Sequence, residues 1–162
     1  MKKQIQVLIL YLVLCGCETT IQSKVVDQET DRASLLKTID HWTQGWENKD
    51  VNLAIQDYAN DIDWTNAFGD RVTNKEELKQ LLEVIFGFDF VMLGQTEYVE
   101  NDIEFLDQNY VTVRSKSIRK GQKNGDGSLM ADRIVNHLRV YRRDKETWKI
   151  VNHMISQVHE KR

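Results

Sequence analysis
Hydrophobic positions change period once along this chain. Leu35, Ile39, Trp42 and Trp46 recur at spacings of four, three and four, one apolar stripe of a helix beginning near Asp31. Thr30 or Asp31 is placed to cap its start. The polar run 47–50 interrupts the stripe, and Asp50 can cap a second, shorter helix that buries Val51, Ala54, Ile55 and Tyr58. A strand over 61–68 follows, with Ile62, Trp64, Asn66 and Phe68 on one face, and Gly69-Asp70 turns the chain. Asn74 with Glu77 three residues on resembles a capping box. It introduces a third helix carrying Leu78, Leu81, Leu82, Ile85 and Phe86, stopped near Gly87. Beyond Gly87 strands take over, at 96–105, 110–119, 133–142 and 148–158. Short turns at 107–109 and 144–146 and a glycine-containing loop at 120–128 connect them. Helices first, one strand among them, then a meander: this order predicts an α+β fold, three N-terminal helices packed on one face of a curved, mainly antiparallel sheet.

Alternation also predicts which side chains face inward. On 61–68 a large apolar face with a single amide, Asn66, reads as a pocket wall. On 133–142 the set Ile134, Asn136, Leu138 and Val140 is the more apolar and is expected inside, which leaves Arg133, His137, Arg139 and Tyr141 outside. On 148–158 both faces are mixed: Trp148, Ile150, Asn152, Met154 and Ser156 on one, Val151, His153 and Ile155 on the other. The expected ligand-binding set is therefore Trp42, Trp46, Trp64, Asn66, Phe68, Asn136 and Asn152. Aromatic rings with neutral amides suit an uncharged, partly apolar small molecule. The competing expectation is a packed core whose few polar groups satisfy one another.

The first residues carry a different signal. Met1-Lys2-Lys3 is basic, and Ile5 to Leu14 is apolar apart from Gln6, too short to span a bilayer and built like a secretory signal. It ends Leu14-Cys15-Gly16-Cys17, which resembles the lipobox of bacterial lipoproteins; Cys15 stands where alanine, serine or threonine is commoner. The resemblance implies a signal peptide over 1–16, lipidation of Cys17, and a lipid anchor on the extracytoplasmic side of a bacterial membrane. Residues 17–30 are polar and aperiodic and read as a tether, with the folded domain at 31–160. The only two cysteines lie in this leader, so the domain has neither disulfide nor thiol nucleophile. The 162 residues fit one domain. Formal charge is −3 at pH 7, and removing 1–16 leaves 20 basic against 25 acidic residues, so no general attraction to nucleic acid is expected.

Three stretches together resemble a family. Trp42-(x)3-Trp46-Glu47-Asn48-Lys49-Asp50, then Tyr58-Ala59-Asn60-Asp61 with Trp64-Thr65-Asn66-Ala67-Phe68-Gly69, then Tyr141-Arg142-Arg143-Asp144-(x)3-Trp148-Lys149-Ile150-Val151 are similar to SnoaL-like (DUF4440-type) domains of the NTF2-like, or ketosteroid-isomerase-like, superfamily. The resemblance implies a cystatin-like cone, a bent sheet around helices with a pocket in its mouth, and frequent homodimers through the sheet. It does not imply a reaction, because the superfamily holds isomerases, cyclases, dehydratases, hydrolases and non-catalytic members. Matching the isomerase motif puts its carboxylate base at Asn66 and its helix donor near Trp42, and an amide does not relay protons at neutral pH. The remaining catalytic candidates are Asp63 and His153. His41, His137, His153 and His159 show no metal-ligand spacing, so no metal and no cofactor is expected. The 124–127 stretch lacks the closing glutamate of a calcium loop.

Overall fold
The computed structural model describes residues 19–159, with side chains from residue 28. The proposed signal peptide 1–16 and Cys17 lie outside the described residues. The first helix, α1, runs Thr19–Glu47, twelve residues further upstream than its apolar stripe predicts, so the stretch read as a tether is helical from Thr19. No glycine or proline stands between Thr19 and Gln44 to stop it, and each added residue adds a backbone hydrogen bond. Asp31 is thus interior to α1 and caps nothing. Its carboxylate accepts from both Arg143 Nη atoms (3.1 and 2.6 Å) and from Trp148 Nε1 (2.9 Å), fastening α1 to the last hairpin. Among the described residues no helix is long and apolar enough to cross a membrane.

A short helix α2, Val51–Ile55, is capped by Asp50, whose Oδ1 accepts from Leu53 N at 3.0 Å. It crosses α1 at Gly45, where a Cβ would stand 2.5 Å from Ala54 N. The next helix, α3, runs Lys75–Phe86 with Asn74 as its cap; Asn74 Oδ1 accepts from Glu77 N at 2.8 Å, and Glu77 reaches back to Thr73 N. Its spacing of four places Leu78, Leu82 and Phe86 in the core. One further helical turn, α4 (Asp89–Met92), was not expected and makes four helices among the described residues.

Six strands form one sheet: β1 Tyr58–Thr65, β2 Arg71–Val72, β3 Gln95–Phe105, β4 Tyr110–Lys120, β5 Arg133–Asp144 and β6 Thr147–Gln157. Their order is β2-β1-β6-β5-β4-β3, antiparallel throughout except for the parallel β1–β6 pair. Two bulges bend it. Tyr98 pairs with Ser117 but Glu100 with Lys116, leaving Val99 unpaired; Val140 pairs with Asn152 but Tyr141 with Ile150, leaving Val151 unpaired. Each bulge moves the inward set by one residue. On β6 it passes from Trp148 and Ile150 to His153 and Ile155, so the two faces look mixed because the inward face changes parity midway.

Two predicted faces are corrected. On β5 the inner face is Val135, His137, Arg139 and Tyr141, all buried, while Asn136 and Leu138 lie outside. The more apolar set faces out because the interior there is polar and supplies partners to the imidazole and guanidinium. At β1, Ile62 and Trp64 face inward as expected, but the strand ends at Thr65. Asn66 instead organises the turn to β2. Its Oδ1 accepts from Phe68 N and Asp70 N, both at 2.9 Å, and its Nδ2 donates to Asp70 Oδ2 at 2.8 Å. Phe68 is carried out into solvent, 79% exposed.

Candidate functional site
The expected pocket between Trp42, Trp64, Asn66 and Asn152 is filled. The His153 ring stands between the tryptophans, with centroids 5.3 Å from Trp42 and 6.4 Å from Trp64, and Trp64 is core. The open space lies beside it. A cavity of about 80 Å³ is bounded by Trp42, Thr43 and Trp46 of α1, Val91 of α4, and inward residues of β3 to β6. Of the residues read as ligand-binding, Trp42 and Trp46 line this cavity, whereas Trp64, Asn66, Phe68, Asn136 and Asn152 are outside its lining. The wall opposite the tryptophans is Thr96, Tyr98, Ser117, Arg119, Arg133, Val135, His137 and Ile155. It holds cations and hydroxyls where neutral amides were expected.

Behind that wall lies a connected polar cluster. His153 is fully buried; its Nδ1 is 2.6 Å from Tyr58 Oη, and its Nε2 is 3.0 Å from His137 Nδ1. His137 Nε2 stands 3.3 Å from Ser117 Oγ and 3.4 Å from Tyr98 Oη, two groups on the cavity. Arg139, also fully buried, donates through Nη1 to Ser115 Oγ (3.2 Å) and through Nη2 to Tyr98 Oη (3.0 Å). Burial works against its charge, but the facing Tyr98, Tyr141 and Tyr58 oxygens more than offset this and hold the guanidinium above its usual range. Burial, reinforced by the Arg139 charge, pushes His137 and His153 well below the ordinary histidine value, so both imidazoles are neutral at pH 7. Burial raises Tyr58 well above the ordinary phenol range and keeps it a hydroxyl.

The donor inventory assigns the protons. Arg139 Nη2 has only protons to offer and stands 3.5 Å from His137 Nδ1, so that nitrogen carries its lone pair inward. His153 Nε2–H then donates to His137 Nδ1, and Tyr58 O–H donates to His153 Nδ1. His137 is left with its proton on Nε2, directed at Ser117, Tyr98 and the cavity. Every bond in the chain runs one way, from Tyr58 towards the open space.

The two sequence candidates for catalysis separate here. His153 is central to the cluster but reaches the cavity only through His137. Asp63, on β1, is in a bidentate pair with Arg71 of β2 (2.9 and 2.6 Å), and that pair holds its carboxyl below the usual range. No carboxylate lines the cavity. Among the described residues no group of three His, Cys, Asp or Glu is placed to hold a metal ion. Residues missed from sequence were Tyr98, Ser117, Arg119, Arg133, His137 and Arg139. A usable signal existed: Val111 and Val113 mark the inner parity of β4, which Ser115, Ser117 and Arg119 share, and antiparallel register carries that face across to His137 and Arg139.

No protein-family model matches the sequence, and no curated protein matches it. Solved structures do. An NTF2-like protein with a cystatin-like fold from Novosphingobium aromaticivorans superposes with a TM-score of 0.73 at 10% identity, covering 90% of this chain and 94% of that one. The hexachlorocyclohexane dehydrochlorinase LinA-type3 from Novosphingobium barchaimii gives 0.71 at 13% identity, covering 83% and 91%. A ketosteroid isomerase-like protein from Erwinia carotovora atroseptica gives 0.64 at 16% identity, covering 79% and 96%. At such identities the likeness is one of architecture, and together with the helix-lined curved sheet it establishes that this chain has the cystatin-like, NTF2-like fold.

Proposed function
We propose that this domain binds a small molecule with an apolar or aromatic body in its cone, held at the cell envelope by a lipid on Cys17. The observation that carries the binding reading is the cavity itself. Two indoles, Val91, Val135 and Ile155 face Tyr98, Ser117 and His137 across about 80 Å³ of open space. Buried apolar walls with a few convergent polar groups are the usual build of a small-molecule site. Trp46 Nε1 is buried beside it without a hydrogen-bond partner. Leu138 and Met154, exposed and paired on the outer sheet face, support pairing of two copies through the sheet as part of the same reading.

The test is a thermal-shift screen of small aromatic and aliphatic compounds on the full chain and on Val135→Phe, which fills the cavity. Compounds that raise the melting temperature of the parent and leave Val135→Phe unmoved support the reading. Stabilisation that survives the substitution, or no stabilisation at all, refutes it. Fatty-acid labelling that Cys17→Ser abolishes tests the anchor.

A specific observation favours a second reading, an acid–base enzyme of the lyase, isomerase or hydrolase kind. His153 faces inward with a shifted pKa, and its chain ends in three donors at the cavity: His137 Nε2–H, Tyr98 O–H and Ser117 O–H. With the Arg139 charge behind them, such donors can stabilise an oxyanion. The carboxylate base of the isomerase branch has no counterpart in the lining, so this reading requires His137 to exchange a proton with a substrate.

A further inference from the structure
Arg119 and Arg133 are direct cross-strand partners on β4 and β5, and both line the cavity. Like charges opposite one another destabilise a sheet, and charges withdrawn from water are ordinarily paired. Here they are not. Arg119 gives its protons to neutral groups, Leu93 O (3.0 Å), Met92 O (2.8 Å) and Thr96 Oγ1 (2.9 Å). Arg133 makes no side-chain hydrogen bond among the described residues, and its Nε is buried without a partner. Neither makes an ion pair among the described residues. The acid whose charge acts on Arg119 is the exposed Glu47 at the end of α1, which does not touch it. Arg139, a third unpaired guanidinium, adds its positive potential from behind Tyr98.

Resting on the small-molecule reading above, we propose that the ligand is a small apolar carboxylate. Its carboxylate sits at the cavity rim between Arg119 and Arg133, and its hydrocarbon end lies inside against Trp42, Trp46 and Val135. A carboxylate accepts the free Arg133 protons, relieves the Arg119–Arg133 repulsion and needs no acid from the protein. At about 80 Å³ the half-open cavity suits a short chain or a small ring. Butyrate and benzoate are acids of that size.

The experiment is calorimetric titration of the full chain with butyrate and benzoate, their neutral amides butyramide and benzamide, and inorganic phosphate, at constant ionic strength. It is repeated on Arg133→Gln and Arg133→Lys, with the fold checked by circular dichroism. The proposal predicts that a carboxylate binds at least about tenfold more tightly than its amide and than phosphate, that Arg133→Gln removes the preference, and that Arg133→Lys keeps part of it. Equal binding of acid and amide overturns the anionic inference and leaves the small-molecule reading standing. Phosphate binding as tightly as the acids overturns the apolar part. Binding of none of the probes overturns this proposal, while the wider compound screen still decides the small-molecule reading. If Arg133→Gln does not fold, the acid-to-amide ratio on the parent chain and on Arg133→Lys decides it.

Discussion

Two neutral histidines locked inside the cone make stability fall with acid in a calculable way. His137 and His153 are held well below the ordinary histidine value by burial and by Arg139, and among the described residues no carboxylate faces them. Their neighbours are Tyr58, Tyr98, Ser117, Arg139 and the rings of Trp42 and Trp64. In the unfolded chain each takes a proton as the pH drops through about 6.5. Below that point the unfolded state binds more protons than the folded one, so stability declines as pH falls towards the lower folded value. Between pH 6.5 and 5.5 each imidazole removes about 1 kcal/mol and the pair about 2 kcal/mol, a large share of the 5–15 kcal/mol typical of a domain. The depressed carboxyls of Asp61, Asp63 and Asp126 are exposed and titrate below this window. Urea melts at pH 7.5, 6.5 and 5.5 read the effect directly. His137→Gln, compared with itself across the same range, is expected to show roughly half the slope. A parent stability unchanged from pH 7.5 to 5.5 refutes the claim that both rings are buried neutral.

The proton assignment has its own readout: long-range ¹H–¹⁵N spectra at pH 7 should show His137 and His153 both as neutral Nε2–H tautomers, and an Nδ1–H form of either breaks the one-way chain from Tyr58. Gly94 has φ of +85°, and a Cβ there would overlap the Lys120 carbonyl oxygen, so Gly94→Ala should lower the melting temperature far more than Gly125→Ala, where a Cβ meets nothing within 4 Å. Asn74→Ala removes the α3 cap and should cost about 1 kcal/mol in urea melts; a loss under a few tenths contradicts the observed Asn74–Glu77 bond.

Most elements, β2 and α4 excepted, and most strand limits were legible because they follow from period alone. The alternation at 96–105, 110–119, 133–142 and 148–158 matches β3 to β6 to within two residues at each end. Caps at Asp50 and Asn74 were legible because their chemistry is local. The site was not, for three physical reasons. Parity was assigned by apolarity, yet the cone's interior is polar, so His137 and Arg139 face in while Leu138 faces out. Places where local rules fail are often functional. The Val151 bulge shifts the inward face midway along β6, and neither half of the strand announces it. Asn66 looked like a pocket amide because alternation was carried one residue beyond the strand, whereas its side chain closes a turn. The unpaired arginines are a property of register, since Arg119 and Arg133 become neighbours only once β4 and β5 are aligned.

The most direct test of the binding claim is a crystal structure of the full chain with the strongest stabiliser from the compound screen. The account predicts ligand density between Trp42, Trp46 and Ser117, with any carboxylate against Arg133. Density in the outer groove along Asn136, Leu138 and Met154, with the cone unchanged, would contradict it and assign function to the outer face of the sheet.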